Sequence, residues 1–161
     1  MNKIMFGVLS AIIFGLSSCC GNSAKCKADS SAECDTVCEK STYWQATPEE
    51  IDGIKKALGY YTEAAVKGDS KIAVLGFAPA ATMSYVDEDS LITVPIQSLY
   101  DYYDQTGSHN ATYEITDCSV AGNIAMVRIE SKFGENEFTD MFTLVKDNSD
   151  WKIVSKLYQA K

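Results

Sequence analysis

Two long runs near the C-terminus constrain this chain most. Phe138-Thr139-Asp140-Met141-Phe142-Thr143-Leu144-Val145-Lys146 is followed, after a short break, by Trp151-Lys152-Ile153-Val154-Ser155-Lys156-Leu157-Tyr158. Phe138, Phe142 and Leu144 alternate with Thr139, Met141 and Thr143, the period of two expected for a strand with one covered face. The break, Asp147-Asn148-Ser149-Asp150, consists of four residues that favour turns. Together the runs predict two long strands of one hairpin.

Asp140 has the parity of Phe138, Phe142 and Leu144, so it shares their face. A carboxylate among covered apolar side chains needs a partner, or its pKa rises. Folding the hairpin about its turn brings Asp140 near Lys156, directly or diagonally. The reading favoured here is a carboxylate held by Lys156, by a tyrosine hydroxyl or by a backbone amide. A catalytic Asp140 is the alternative.

The rest of the chain fits around that hairpin. Its 161 residues allow one domain with a sizeable core. The formal net charge of −8 argues against nucleic acid as a partner. Thr47-Pro48-Glu49-Glu50 matches a capping box at the start of a helix. Ile51, Ile54, Leu58, Tyr61 and Ala65 then recur at helical spacing, and Gly68 stops the helix. Asp69 or Ser70 caps a short second helix through Leu75, which Pro79 bounds.

Short strands are expected over 82–86 and 91–94, with the acidic turn Asp87-Glu88-Asp89 between them. Those acids lack a complete EF-hand pattern and read as a solvated turn. Pro95 opens a third helix over 96–105, which Gly107 closes. Four long strands follow, over 113–120, 124–132, 138–146 and 151–158, joined by short turns. Sequential strands of this kind imply an antiparallel meander. Helices mostly precede strands, so the class is α+β.

The N-terminus reads as a targeting segment. Lys3 precedes a mostly apolar run over 4–16, too short to span a bilayer comfortably. The run ends in Leu16-Ser17-Ser18-Cys19, which resembles a bacterial lipobox. The resemblance implies cleavage before Cys19 and a diacylglycerol on its sulfur; an ordinary secretory signal is the alternative. Residues 19–46 read as a polar tether carrying Cys20, Cys26, Cys34 and Cys38. In an exported protein these suggest disulfides, with three connectivities open. Unpaired thiols are the other reading, and the spacing does not match common zinc patterns. Cys118, on a strand, reads as a small buried hydrophobe.

The organisation becomes 1–18 signal peptide, 19–46 tether and 47–161 folded domain. The expected location is the bacterial cell envelope, lipid-anchored, on the periplasmic side or at the outer membrane.

The order of helix, Gly68-Asp69, Phe77-Ala78-Pro79, small hairpin, third helix and four strands ending in Trp151-Lys152-Ile153-Val154 resembles the NTF2-like superfamily. Within it, Asp140, Leu144 and Lys156 resemble the bacterial branch named for lumazine binding. The resemblance implies a cone: a curved antiparallel sheet wrapped around a long N-terminal helix, with a cavity at the open end. It does not choose a function, because relatives include isomerases, dehydratases, binding modules and dimerising domains. Many relatives carry a histidine between the Phe and Pro of the second-helix motif. Ala78 stands there in this chain, which weakens an enzymatic reading.

The catalytic inventory is sparse. His109, the only histidine, lies in Gly107-Ser108-His109-Asn110 and reads as a solvent-facing loop residue. No nucleophile elbow or phosphate-binding glycine loop is present, and neither a metal nor a cofactor is expected. Tyr61, Phe77, Tyr85, Tyr100 and Tyr103 fall on elements that could line the cone and, with Asp140, form an apolar ligand pocket. They could equally fill the core. Three readings follow. The first is a membrane-tethered, non-enzymatic module for a small apolar or aromatic molecule. The second is an isomerase- or dehydratase-like acid–base enzyme using Asp140. The third is a structural homodimer built on an exposed sheet face.

Overall fold

The computed structural model describes residues 46–161. The expected signal peptide, Cys19 and the four tether cysteines lie outside the described residues.

Helix α1, Pro48–Lys67, begins at the expected capping box: the Thr47 side chain accepts from the Glu50 amide, and the Glu50 carboxylate accepts from the Thr47 amide at 2.8 Å. Ile54, Ala57, Leu58, Tyr61, Ala64 and Ala65 form its buried face. Gly53 lets the helix lie close to the sheet, because a Cβ there would come within 2.7 Å of the Trp151 ring. Gly68 ends α1 in the left-handed region at φ 62°, with Gly107 backbone packed against it. Asp69 caps α2, Ser70–Val74, by accepting from the Lys71 amide.

The strands are β1, Phe77–Asp87; β2, Ser90–Pro95; β3, Ala111–Ala121; β4, Ile124–Phe133; β5, Asn136–Asp147; and β6, Asp150–Ala160. Helix α3, Gln97–Thr106, lies between β2 and β3. The strands form one curved six-stranded sheet in the order β2-β1-β6-β5-β4-β3. β3 to β6 form the expected antiparallel meander. The sheet is not antiparallel throughout, since β1 pairs with β6 in parallel.

Both prolines that were read as element boundaries lie in strands. Pro79 sits inside β1, in the stretch between Phe77 and Thr82 where the register with β6 shifts and a residue without an N–H is tolerated. Pro95 ends the edge strand β2 rather than opening α3. Ile96 takes the N-cap position without a side-chain bond, and its amide donates to Ala81 O at 2.9 Å.

In β5, Phe138, Asp140, Phe142 and Leu144 face inward as their alternation requires. β6 changes phase midway. Thr143 pairs with Ser155 but Leu144 pairs with Ile153, so Val154 is an extra residue, a β-bulge. Trp151 and Ile153 face inward before it, Lys156 and Tyr158 after it. The core lies between the inner sheet face and α1, with Leu58, Tyr61, Ile129, Phe142, Leu144 and Ile153 among its buried residues.

Candidate functional site

A hollow of about 380 Å³ opens between the sheet and the helices. Tyr61 comes from α1, Met83 and Tyr85 from β1, and Val94 from β2. Ser98, Leu99, Tyr102 and Tyr103 come from α3, Phe133 and Phe138 from the β4–β5 hairpin, and Lys156 and Tyr158 from β6. Its size and mostly apolar lining match small-molecule sites in general.

The aromatic walls are built from tilted and edge-to-face ring pairs. Tyr61 lies 5.1 Å from Phe133 and 5.4 Å from Phe142, centroid to centroid. Phe138 meets Tyr158 at 5.8 Å, and Tyr158 meets Tyr85 at 5.0 Å. Such pairs stabilise by roughly 0.5–1.5 kcal/mol beyond their buried area. The Tyr103 hydroxyl donates to Tyr61 O at 3.0 Å, fixing α3 against α1.

Among the described residues, the one cation in the wall is Lys156. Its side chain is 4% exposed, and Nζ donates to Asp140 Oδ1 at 2.6 Å. The same nitrogen sits over the Tyr158 ring at 4.0 Å and over the Tyr61 ring at 5.6 Å. Asp140 is fully buried, and its other oxygen accepts from the Ser131 hydroxyl. Burial pushes the Lys156 ammonium below the usual lysine range, outweighing the Asp140 charge that pulls it up. Burial, and then the Asp140 charge, hold Tyr61 and Tyr103 well above the ordinary tyrosine range. Tyr100 is pushed by burial to about 12.

The expected site residues are divided by this geometry. Tyr61, Tyr85 and Tyr103 reach the hollow. Phe77 and Tyr100 do not: they pack edge to face at 6.2 Å behind its lining, on the core side of β1 and α3. Asp140 lies behind Lys156 and does not line the hollow, with both oxygens already engaged. It holds the lysine rather than facing a bound molecule, which removes the expected base role of Asp140.

Several lining residues were missed. Phe138 and Met83 share strand parity with Asp140 and Tyr85, a signal already present in the sequence. Leu99 and Tyr102 follow helical spacing with the expected Tyr103 along one face of α3, which also separates them from Tyr100. Lys156 and Tyr158 face inward only because of the bulge at Val154.

His109 is half-buried rather than solvent-facing. Its amide donates to Ala65 O at 3.1 Å, drawing the loop onto the end of α1. The ring lies 6.1 Å from both Tyr102 and Phe133, Nδ1 is 3.0 Å from Gly107 O, and Nε2 is buried without a partner among the described residues. Cys118 is half-buried against the core, and burial raises its thiol. Among the described residues no cluster of His, Cys, Asp and Glu is arranged to hold a metal ion. No helix among them is long and apolar enough to cross a membrane.

Solved structures share this architecture. An NTF2-like protein from Shewanella baltica OS155 is 32% identical and superposes with a TM-score of 0.65, covering 73% of this chain and 98% of that one. An NTF2-like protein from Methylobacillus flagellatus KT is 30% identical with a TM-score of 0.66, covering 73% and 96%. A Cladobotryum protein named "Aldolase FrzH" is 30% identical over 118 residues, 71% of this chain and 94% of that protein. The family described as "Putative lumazine-binding" matches residues 49–159. With the fold, the shared sequence and that match in agreement, the chain belongs to this NTF2-like family.

Proposed function

We propose that this protein is a small-molecule-binding module that holds an apolar, aromatic-sized ligand in the hollow between α1, α3 and the sheet. The observation that carries the reading is the 380 Å³ space walled by Tyr61, Tyr85, Tyr103, Phe138 and Tyr158, with the buried cation Lys156 at its side. Screening the full chain by thermal denaturation against small aromatic compounds tests it. A ligand at a hundredfold excess over its Kd contributes about 2.7 kcal/mol, a rise in Tm of about 5 °C or more. A broad panel of ring compounds with no stabiliser would refute the reading.

The membrane tether is part of the same proposal. It rests on Lys3, the apolar run and Leu16-Ser17-Ser18-Cys19, which together support lipidation at Cys19 in a bacterial cell envelope. Growth with a labelled fatty acid should mark the protein. Label persisting in Cys19→Ser, or absent from the native sequence, would contradict the tether.

Two observations support further readings. Ile124, Met126, Met141, Val145 and Leu157 form an exposed apolar stripe on the outer sheet face, favouring a homodimer through that face. Light scattering giving a monomer at high concentration would rule it out. The aldolase name of the Cladobotryum relative supports an enzymatic alternative. In this chain that alternative fits Lys156, at the wall of the hollow, better than Asp140 behind it.

A further inference from the structure

We propose that Lys156 is a nucleophilic amine, and that the hollow takes an aromatic or apolar aldehyde or ketone which Lys156 binds as a protonated imine. The inference rests on the ligand-binding reading above and adds the chemical class of the ligand.

The geometry supports it in three ways. First, Lys156 is 4% exposed yet contributes to the wall of the hollow, and its amine lies over the rings of Tyr158 and Tyr61, which line the same space. Second, the hydrogen-bonding count favours an imine. An ammonium has three N–H donors, and among the described residues Nζ finds one oxygen, Asp140 Oδ1, with ring faces on other sides. A protonated imine has one N–H donor, which that oxygen satisfies. Third, the positive charge survives the reaction. The buried Asp140 carboxylate, itself fixed by Ser131, keeps a cation beside it before and after.

The step balances without an oxidant or reductant. Lys156 releases one proton to solvent in the open hollow, and its freed nitrogen pair attacks the carbonyl carbon. The carbonyl π pair moves to oxygen, which takes up one proton in exchange. The carbinolamine then loses its hydroxyl with the second nitrogen proton, as water, leaving C=N–H⁺. Overall, ammonium plus carbonyl gives protonated imine plus water. Burial lowers the cost of freeing the amine, since it already works against the charged form of Lys156. Asp140 is a positioning residue here, and Lys156 is the residue that touches the ligand.

The test uses the full chain with 2-naphthaldehyde and sodium cyanoborohydride, which reduces an imine to a stable secondary amine. Peptide mapping by mass spectrometry then locates the adduct. Lys156 should be labelled at least about tenfold faster than the exposed Lys132 and Lys161, because the hollow concentrates the aldehyde beside it. Lys156→Arg keeps a cation beside Asp140 and should lose that label. The alcohol analogue 2-naphthalenemethanol, which cannot form an imine, should still raise Tm. If the alcohol raises Tm but only exposed lysines are labelled, imine formation is overturned and the binding reading stands. If the alcohol leaves Tm unchanged and Lys156 is unlabelled, both are overturned.

Discussion

Lys156 Nζ lies 2.6 Å from Asp140 Oδ1 although the two are not cross-strand partners: Asp140 faces Tyr158, and Lys156 faces Phe142. The contact is diagonal, with Lys156 two residues along β6 from Tyr158, the residue opposite Asp140. It exists because Val154 is an extra residue in β6, which turns Lys156 from the outer face to the inner one. Without the bulge, the lysine would point to solvent and Asp140 would be buried with Ser131 alone.

The pair therefore sets a stability prediction. Leaving one charge buried without its partner is costly, so Asp140→Leu or Lys156→Met should each destabilise by about 3–5 kcal/mol. The double variant removes both charges and should lose clearly less than the sum, a large coupling energy in a double-mutant cycle. Urea unfolding of the four proteins measures it. Additive losses would mean that the two groups do not depend on each other.

How much of this was legible in the sequence follows from the same strands. Asp140 obeys a strict period of two, so its burial could be read directly. Its pairing with Lys156 was expected from folding the hairpin and is present, but the inward turn of Lys156 depends on a one-residue insertion that no local pattern announces, because Val154 is as good a strand residue as any. On α3, Tyr100, Tyr102 and Tyr103 are equally aromatic, and only the helical angle sends Tyr100 to Phe77 and the other two to the hollow. Pro95 fits an edge strand as well as a helix start, since its fixed φ suits both. His109 is drawn inward by a tertiary bond to Ala65 O, which loop composition cannot reveal.

Glycine positions on α1 give opposite predictions. Gly59 lies mid-helix with open space where a Cβ would go, so Gly59→Ala should stabilise by roughly 0.5–1 kcal/mol. Gly68 has φ 62° and Gly107 backbone within 2.5 Å of a Cβ position, so Gly68→Ala should destabilise by more than about 1 kcal/mol. Thermal unfolding of both variants checks the signs.

Tyrosine ionisation sets the alkaline limit. The Tyr100 pKa is raised in the fold to about 12 from an ordinary value of 10.0. Its contribution is fully present below pH 10.0 and is lost as pH climbs towards 12, because the unfolded chain releases that proton first. Ultraviolet titration should show late ionisation of Tyr100, absent in Tyr100→Phe. Native-state ionisation complete near pH 10 would contradict its burial.

At the acid end, Glu130 accepts hydrogen bonds from Lys161, Thr139 and Arg128, which hold its carboxyl at about 2. Its contribution is present above the ordinary value of 4.5 and is lost as pH falls through about 2. Carboxyl chemical shifts followed by NMR should place its midpoint there, and Lys161→Ala should raise it.

The central claim is that the hollow binds a ring-bearing ligand, and Ser98 offers the most direct test. Ser98 is exposed on α3 at the edge of the hollow, so Ser98→Trp should fill the space while changing stability by no more than about 0.5 kcal/mol. Calorimetric titration with 2-naphthalenemethanol should then give saturable heat for the native sequence and none for Ser98→Trp. Equal binding by both proteins, or by neither, would contradict the account.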